Sequence, residues 1–300
     1  MKTFSTSRLS SPLCSVGSQA YAGMYSASFG DASNPYDPGV PGWVGPDGDG
    51  KVGGNNVINP IFVGWATGYQ DYLPAPGVQS GFQTPDKALG AVNGDNLDIV
   101  SLGDLNQTQI NQGVQPGQIT LTFDLTIVNG DGADFAVFEN SFTAGTSTFA
   151  ELAYVEVSTD GTNFARFPSV SLTAAPNGFG PLDATNVYNL AGKHVHAFGS
   201  AWGTPFDLAS LVLDPLVVGG LVDLMNIHYV RIVDIPGSGN FLDSLGNPIY
   251  DAWVTTGSGG FDLAGVGLIH AVPEVNSLVM LGIAGVAVLA AQRSRAKRAK

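Results

Sequence analysis

The chain has 300 residues, with 25 acidic and 12 basic side chains and a formal net charge of −13. Residues 23–272 hold 24 acidic and 5 basic residues, and a charge near −19 argues against a nucleic acid partner because phosphates would be repelled. Cys14 is the only cysteine, which excludes an intrachain disulfide. The 40 glycines and 18 prolines are typical of strands and turns, and the length suits one large all-β domain or two small ones.

The first 22 residues have some features of a signal peptide. Lys2 and Arg8 precede or flank a short apolar stretch, and Ala20-Tyr21-Ala22 is a small-x-small cleavage pattern. Serines and Pro12 interrupt the apolar stretch. We interpret residues 1–22 as a weak signal peptide or the product of a misassigned start codon, and a disordered cytoplasmic tail is the alternative.

Residues 23–81 are rich in Gly, Pro, Asn and Asp and predict long loops. Asp47 and Asp49 resemble the opening of a calcium loop, but the rest of an EF-hand is missing, so a turn with solvated aspartates is the simpler interpretation. Six aromatic residues lie in Gly/Pro-rich segments that also predict loops: Trp43, Trp65, Tyr69, Tyr72, Trp202 and Trp253. Such residues either stack on sugar rings or anchor the loops by packing.

Strand patterns are clear from residue 119 onward. Alternating or continuous apolar stretches predict strands at 119–123, 134–139, 153–158, 164–167, 228–234 and 261–269. Asp160-Gly161 predicts a hairpin turn between the third and fourth of these strands. Helical signals are scarce, and 206–213 predicts at most two turns. The fold class is therefore all-β, a β-sandwich over residues 23–271 with long Gly/Pro-rich loops.

Several carboxylates near these strands are candidate calcium ligands: Asp131, Asp134, Glu139 and Glu151. Glu151 is in phase with Ala153 and Val155, so a regular strand would bury it, and a buried carboxylate needs a cation or several donors. Arg231 and calcium are the two candidate partners of Glu151. The alternative for the whole set is a salt bridge or a rim carboxylate without metal. Further candidates near the last strand are Asp243, Asp251 and Asp262.

The sequence contains no nucleophile elbow, zinc helix motif or phosphate loop, so we predict that the protein is not an enzyme. Glu139 and Glu151 could in principle form the carboxylate pair of a glycosidase. His194 and His196 would face the same side of a strand and could bind zinc, but no third ligand lies near them in sequence.

The last 29 residues, 272–300, have three parts. Val272-Pro273-Glu274 precedes an apolar stretch at 278–291 and a basic end of Arg293, Arg295, Lys297, Arg298 and Lys300. The apolar stretch predicts a C-terminal hydrophobic helix of about 21 Å, which a bilayer with a core of ~30 Å would hold by thinning or snorkelling. The basic end would stay cytoplasmic and the body outside. A core helix with a solvated basic tail is the alternative.

This three-part order resembles the PEP-CTERM sorting signal of Gram-negative bacteria. The resemblance implies export to the cell envelope, surface or extracellular matrix, membrane contact through 278–291, and an exosortase-like sorting peptidase as a partner. Val275 stands where the family usually has a second proline. A peptidase that needs this proline would cut the chain poorly and leave it anchored.

The body resembles galactose-binding or discoidin-type jelly rolls in two stretches, 156–164 and 229–232. This resemblance implies a jelly-roll β-sandwich, and such modules commonly hold one structural calcium ion (Ca²⁺). The body is also similar to a group of uncharacterised bacterial cell-surface proteins, through Ala88–Ala91, Asp134–Asn140, Phe149–Ala153, Asn189–Lys193, Thr204–Leu208, Asp243–Asp251 and Gly259–Leu263.

These features together predict an exported, non-enzymatic protein of the cell surface or extracellular matrix, anchored in the membrane at least transiently. A calcium-dependent carbohydrate-binding module, with a polysaccharide as its partner, is the first alternative. A glycan-active hydrolase is the second.

Overall fold

The computed structural model describes residues 38–145 and 147–274, and within them the chain is mostly strand. In chain order the strands are β1 (Val40–Pro41), β2 (Trp43–Val44), β3 (Val57–Ile58), β4 (Gly64–Trp65), β5 (Gly68–Leu73), β6 (Val100–Ser101), β7 (Gln118–Ile127), β8 (Phe135–Glu139), β9 (Phe142–Ala144), β10 (Ser147–Phe149), β11 (Ala153–Ser158), β12 (Ala165–Arg166), β13 (Val170–Ser171), β14 (Val187–Tyr188), β15 (Trp202–Phe206), β16 (Ile227–Asp234), β17 (Asp262–Leu268) and β18 (Ala271–Pro273).

Helices are short throughout the described residues. They are α1 (Gln107–Asn111), α2 (Pro215–Val218) and 3₁₀ turns at Ser80–Phe82, Pro85–Ala88, Ala184–Asn186 and Leu208–Leu211. The last of these lies inside the predicted helical stretch 206–213 and is capped by Asp207, whose side chain accepts a hydrogen bond from Ala209 N. The all-β prediction is confirmed.

Residues 38–145 and 147–274 contain no helix long and apolar enough to cross a membrane. The predicted signal peptide 1–22, the apolar stretch 278–291 and the basic end from Arg293 lie outside the described residues.

Two antiparallel sheets form the body. The first has the order β1-β15-β8-β17-β4, with β6 also paired to β17. The second has the order β12-β11-β16-β7-β18, with β5 also paired to β7. The ten-residue strand β7 therefore shares one edge between two partners, since Gln118–Thr122 pairs with β5 and Leu125–Ile127 pairs with β18.

The main core lies between these sheets. Phe135 and Val137 of the first sheet join Val155, Ile232 and Leu121 of the second in one buried apolar cluster. Along β16, buried and part-buried residues alternate from Tyr229 to Asp234, as the period of two predicted for a half-buried strand requires. Removing this apolar surface from water is the main force that holds the sheets together.

The predicted hairpin between β11 and β12 is confirmed. Glu156 pairs with Arg166 and Val157 with Ala165. In the turn, Asp160 accepts hydrogen bonds from the backbone N–H of Thr162 and Asn163, both at 2.8 Å. An aspartate that binds its own following backbone in this way favours a tight turn.

The loop interpretation of the aromatic residues is wrong for five of the six, because Trp43, Trp65, Tyr69, Tyr72 and Trp202 lie in strands. β2 and β4 escape sequence analysis because they are only two residues long, and β5 mixes Gln and Asp with its aromatics. The aromatic side chains act as anchors: Trp43 Nε1 donates to Val92 O at 2.9 Å, and the Trp65 ring lies 5.7 Å from Phe138. Trp43 and Trp65 thus pack on the outer face of the first sheet, against Ala136 and Phe138 of β8.

Candidate functional site

The four predicted calcium ligands are not brought together. Asp134 directly precedes β8 and Glu139 ends it, which separates them by about 17 Å along an extended strand. Asp131 is exposed. Glu151 is buried just before β11, so it does lie inside the protein as predicted, although outside the strand itself.

Asp134 has protein partners of its own. It accepts from Gly130 N and Leu208 N at 2.7 Å each, and its Oδ1 lies 2.9 Å from His270 Nδ1. Burial raises the pKa of Asp134, and these donors partly oppose the effect. The residue joins the loops at the start of β8, the end of β15 and the end of β17.

Arg231 is not the partner of Glu151. Its Nε donates to Glu156 Oε2 at 2.6 Å, on the neighbouring strand β11. Arg231 is directly opposite Glu156 in the β11–β16 register, on the face opposite to the core residues Val155 and Ile232. The expectation failed because Glu151 lies outside the regular strand, so its phase with Val155 did not determine its neighbours.

Glu139 and Glu151 instead belong to a group of six carboxylates, which we call the acidic cluster: Asp104, Glu139, Glu151, Asp234, Asp251 and Asp262. Five of the six are buried, with exposures between 1% and 7%, and burial also dominates the environment of Asp104. Asp251 and Asp262 are among the further candidates from the sequence. Asp104 and Asp234 were missed, because one lies in an irregular segment and the other ends an apolar strand.

The segment that leads into β17 positions much of the cluster. Gly260 N donates to Glu151 Oε1 at 2.9 Å, and Phe261 N donates to Asp234 Oδ1 at 2.7 Å. Asp262 starts β17, where Asn140 Nδ2 donates to its Oδ2 at 3.1 Å. Two successive backbone N–H groups thus bind two different carboxylates, and the next residue carries a third.

Neighbouring loops hold the other members. Thr255 N donates to Asp104 Oδ2 at 2.9 Å, and Leu152 N donates to Asp251 Oδ2 at 2.7 Å. Glycine permits the close backbone approach at Gly192, where φ is +97° and a Cβ would lie 2.1 Å from the carbonyl oxygen of Glu151.

The environment of the cluster opposes ionisation. Burial raises the pKa of both Asp104 and Asp262 to about 7. Burial, followed by repulsion from Asp262, also raises the pKa of Glu139 and Glu151 well above the ordinary range. The pKa of Asp234 is raised by burial and then by Asp104. At neutral pH, therefore, either part of the cluster is protonated or a cation neutralises the ionised carboxylates.

Three carboxylate oxygens of the cluster are buried without a hydrogen-bond partner among the described residues: Asp104 Oδ1, Asp234 Oδ2 and Asp262 Oδ1. Asp104 and Thr255 also line an open cavity of about 260 Å³. The cavity gives solvent a route to this side of the cluster.

Over residues 38–145 and 147–274, no group of three or more His, Cys, Asp or Glu side chains is already arranged to hold a metal ion. This includes His194 and His196, whose side chains are both buried. Burial lowers the pKa of His196 to about 4, and its ring packs edge-on against Phe138.

The predicted sorting motif is partly integrated into the body. Val272 and Pro273 lie in β18 and pair with Thr126 and Leu125 of β7. Glu274 follows, and its Oε1 lies 3.1 Å from His228 Nδ1.

Comparison with protein-family models, with curated proteins and with solved structures gives no match for this chain.

Proposed function

We propose that the protein is an exported, non-enzymatic component of the cell surface or extracellular matrix, and that its acidic cluster binds a calcium ion that stabilises the fold. The observation that carries the calcium proposal is the presence of three buried, unpartnered carboxylate oxygens, on Asp104, Asp234 and Asp262. An ionised carboxylate is costly to bury without a partner, and a divalent cation supplies the missing counter-charge.

Calcium fits the donor chemistry of the cluster. It takes about six to eight oxygen ligands, among them carboxylates, backbone carbonyls and water. Because no three acidic side chains are already arranged around one point, carbonyls and water would complete the coordination. The cavity beside Asp104 provides a route of entry.

The burial of Glu139 and Glu151 favours a structural role over hydrolysis. Their residues are 2% and 7% exposed. A glycosidase needs both carboxyl groups beside the scissile bond of a bound sugar, so its pair has to face a substrate cleft. Buried carboxylates with backbone donors suit ion binding and packing better.

The remaining parts of the proposal come from the sequence. Residues 272–300 would act as a PEP-CTERM-like sorting segment, with 278–291 in the membrane and an exosortase-like peptidase as partner. The two antiparallel sheets and the β11–β12 hairpin support a galactose-binding-like jelly roll as the finer fold assignment.

Thermal unfolding of the full-length chain tests calcium binding. At a calcium concentration of about one hundred times Kd, a single site adds about 2.7 kcal/mol to the free energy of unfolding. For a protein of this size we expect Tm to rise by roughly 5–10 °C relative to a sample with chelator. Magnesium serves as the control because it prefers a smaller octahedral site. Equal Tm values with millimolar calcium and with chelator would sink the calcium proposal.

Protease treatment of intact cells that express the chain tests the location. We expect the body to be cut by external protease in the full-length chain, and to be released into the medium when residues 275–300 are deleted, a change that leaves β18 in place. A body that is protected in intact cells and becomes cleavable only after lysis would contradict export.

A further inference from the structure

A groove of about 630 Å³ crosses the outer face of the second sheet. Its floor is made by Gln118 of β7, Glu156 of β11, Arg166 of β12, and Arg231 and Val233 of β16. Val155 and Ile232, the alternating neighbours on β11 and β16, point into the core, so the floor residues lie on the outer face of the sheet, where Glu156 is itself buried. The volume lies in the range of sites for small ligands.

Two arginines on this floor are held in fixed positions. Arg166 Nε donates to Glu156 Oε1 at 2.8 Å, and Arg231 Nε donates to Glu156 Oε2 at 2.6 Å. The guanidinium of Arg166 stacks at 4.1 Å on the ring of Tyr154, and that of Arg231 at 3.7 Å on Phe164. Both groups are therefore preorganised, which lowers the entropy cost of binding a ligand.

The arginines keep donors available. A guanidinium has five N–H groups in a planar fork, and Glu156 engages only the Nε and one Nη nitrogen of each arginine. Their side chains are 47% and 26% exposed. Arg166, Arg231 and Glu156 together carry a net charge of +1. They include both arginines of residues 38–274, in a body that is otherwise strongly acidic. Asp234 also lines the groove, and burial raises the pKa of its carboxyl group well above the ordinary value.

We infer that this groove binds a carboxylate group of an acidic polysaccharide. A guanidinium fork matches a carboxylate in shape and charge, and the amide of Gln118 suits sugar hydroxyls. The groove runs across the strands, so a ligand in it is recognised by side chains. An extended peptide would instead need a free sheet edge to form backbone hydrogen bonds. The net charge of −13 opposes a dense polyanion, which favours a glycan whose carboxylates are spaced apart.

Titration calorimetry on the full-length chain in detergent tests this inference. The probe is an oligosaccharide in which glucuronic acid alternates with a neutral sugar, and the control is the same oligosaccharide with its carboxyl groups reduced to alcohols. We expect the reduced probe to bind at least about tenfold more weakly, because a charge-assisted hydrogen bond to arginine is lost. Binding of the carboxylated probe should also weaken as salt is raised.

Variants locate the site. Arg166→Gln should lower affinity for the acidic probe about tenfold or more, while Glu156 keeps Arg231 as its partner. Lys51→Gln makes the same change of charge at an exposed position outside the groove and should leave affinity unchanged. A Tm close to that of the unchanged chain shows that Arg166→Gln still folds. Equal affinity for both probes, no binding at millimolar concentration, or unchanged affinity in Arg166→Gln would overturn the inference. None of these outcomes bears on the calcium-dependent Tm.

Discussion

Asp160 and Asp262 show how the same side chain acquires opposite properties in one fold. Asp160 is fully exposed at the hairpin turn, where the N–H groups of Asn163 and Thr162 hold its pKa below the ordinary value. Asp262 is buried beside other carboxylates, and burial raises its pKa to about 7. The first is satisfied by local backbone donors, whereas the second depends on what neutralises the cluster around it.

Replacing Asp262 should therefore have effects of opposite sign with and without calcium. In chelator at pH 7.5, Asp262→Asn removes the cost of burying an ionised carboxylate, whose pKa burial raises to about 7, and we expect the free energy of unfolding to rise by about 1–2 kcal/mol. With calcium, the same variant loses a ligand, and the calcium-induced rise in Tm should shrink or vanish. Thermal unfolding under both conditions measures this.

Asp131→Asn is the matched control for that experiment, because Asp131 is exposed and outside the cluster. It should leave both Tm values unchanged. A calcium response that survives intact in Asp262→Asn would remove this residue from the site.

At the scale of elements, β18 completes the sheet edge that β5 leaves open. It pairs with Leu125–Ile127 of β7, and Ala271 packs against the main core. Without β18, this part of β7 would be an unpaired edge, which exposes backbone groups to association with other chains.

Truncation should distinguish this edge from the sorting segment that follows it. A chain that ends after residue 274 should keep the Tm of the body, whereas a chain that ends after residue 270 should melt several degrees lower and associate at high concentration. Thermal unfolding and light scattering measure the two effects. Identical behaviour of the two chains would show that β18 contributes nothing to the stability of the body.

For the whole molecule, the acidic cluster should set the dependence of stability on pH in the absence of metal. The folded-state pKa values of Asp104 and Asp262 are about 7, against an unfolded value of about 4. Between these values the folded state binds more protons, so the free energy of unfolding should fall as pH rises from about 4 to about 7. Denaturant unfolding in chelator across this range measures the slope.

Saturating calcium should weaken or reverse that slope, because calcium binds the deprotonated carboxylates. The rise in Tm caused by calcium should therefore be larger at pH 7.5 than at pH 5. Stability that increases with pH in chelator would mean that the cluster is neutralised within the protein itself.

The longer strands could be predicted from sequence because the spacing of their apolar residues reflects which side chains face the core. The predicted strand at 153–158 coincides with β11, and those at 228–234 and 261–269 overlap β16 and β17 closely. The predicted strand at 119–123 covers only half of the longer β7. The two-residue strands could not be predicted, since a stretch such as Gly64-Trp65 has no period and pairs only because β17 lies beside it.

The candidate site was predictable only in part, for a related reason. Carboxylates near strand ends are visible in the sequence, and Glu139, Glu151, Asp251 and Asp262 were all named. Which of them meet depends on pairing between distant segments, such as β8 beside β17, and sequence spacing carries no information on that pairing. Asp134 was grouped with Glu139 through proximity in sequence, although the strand between them holds them apart.

The position of β18 also has a mechanical consequence. If residues beyond Glu274 are fixed in a membrane, drag on the body is transmitted through β18 before it reaches the two sheets. A three-residue strand shares that tension over few hydrogen bonds, so it would detach first, together with the contact between Glu274 and His228. Its release would add about 10 Å of extended chain. The link between the membrane and the body would lengthen under tension while the two sheets stay folded.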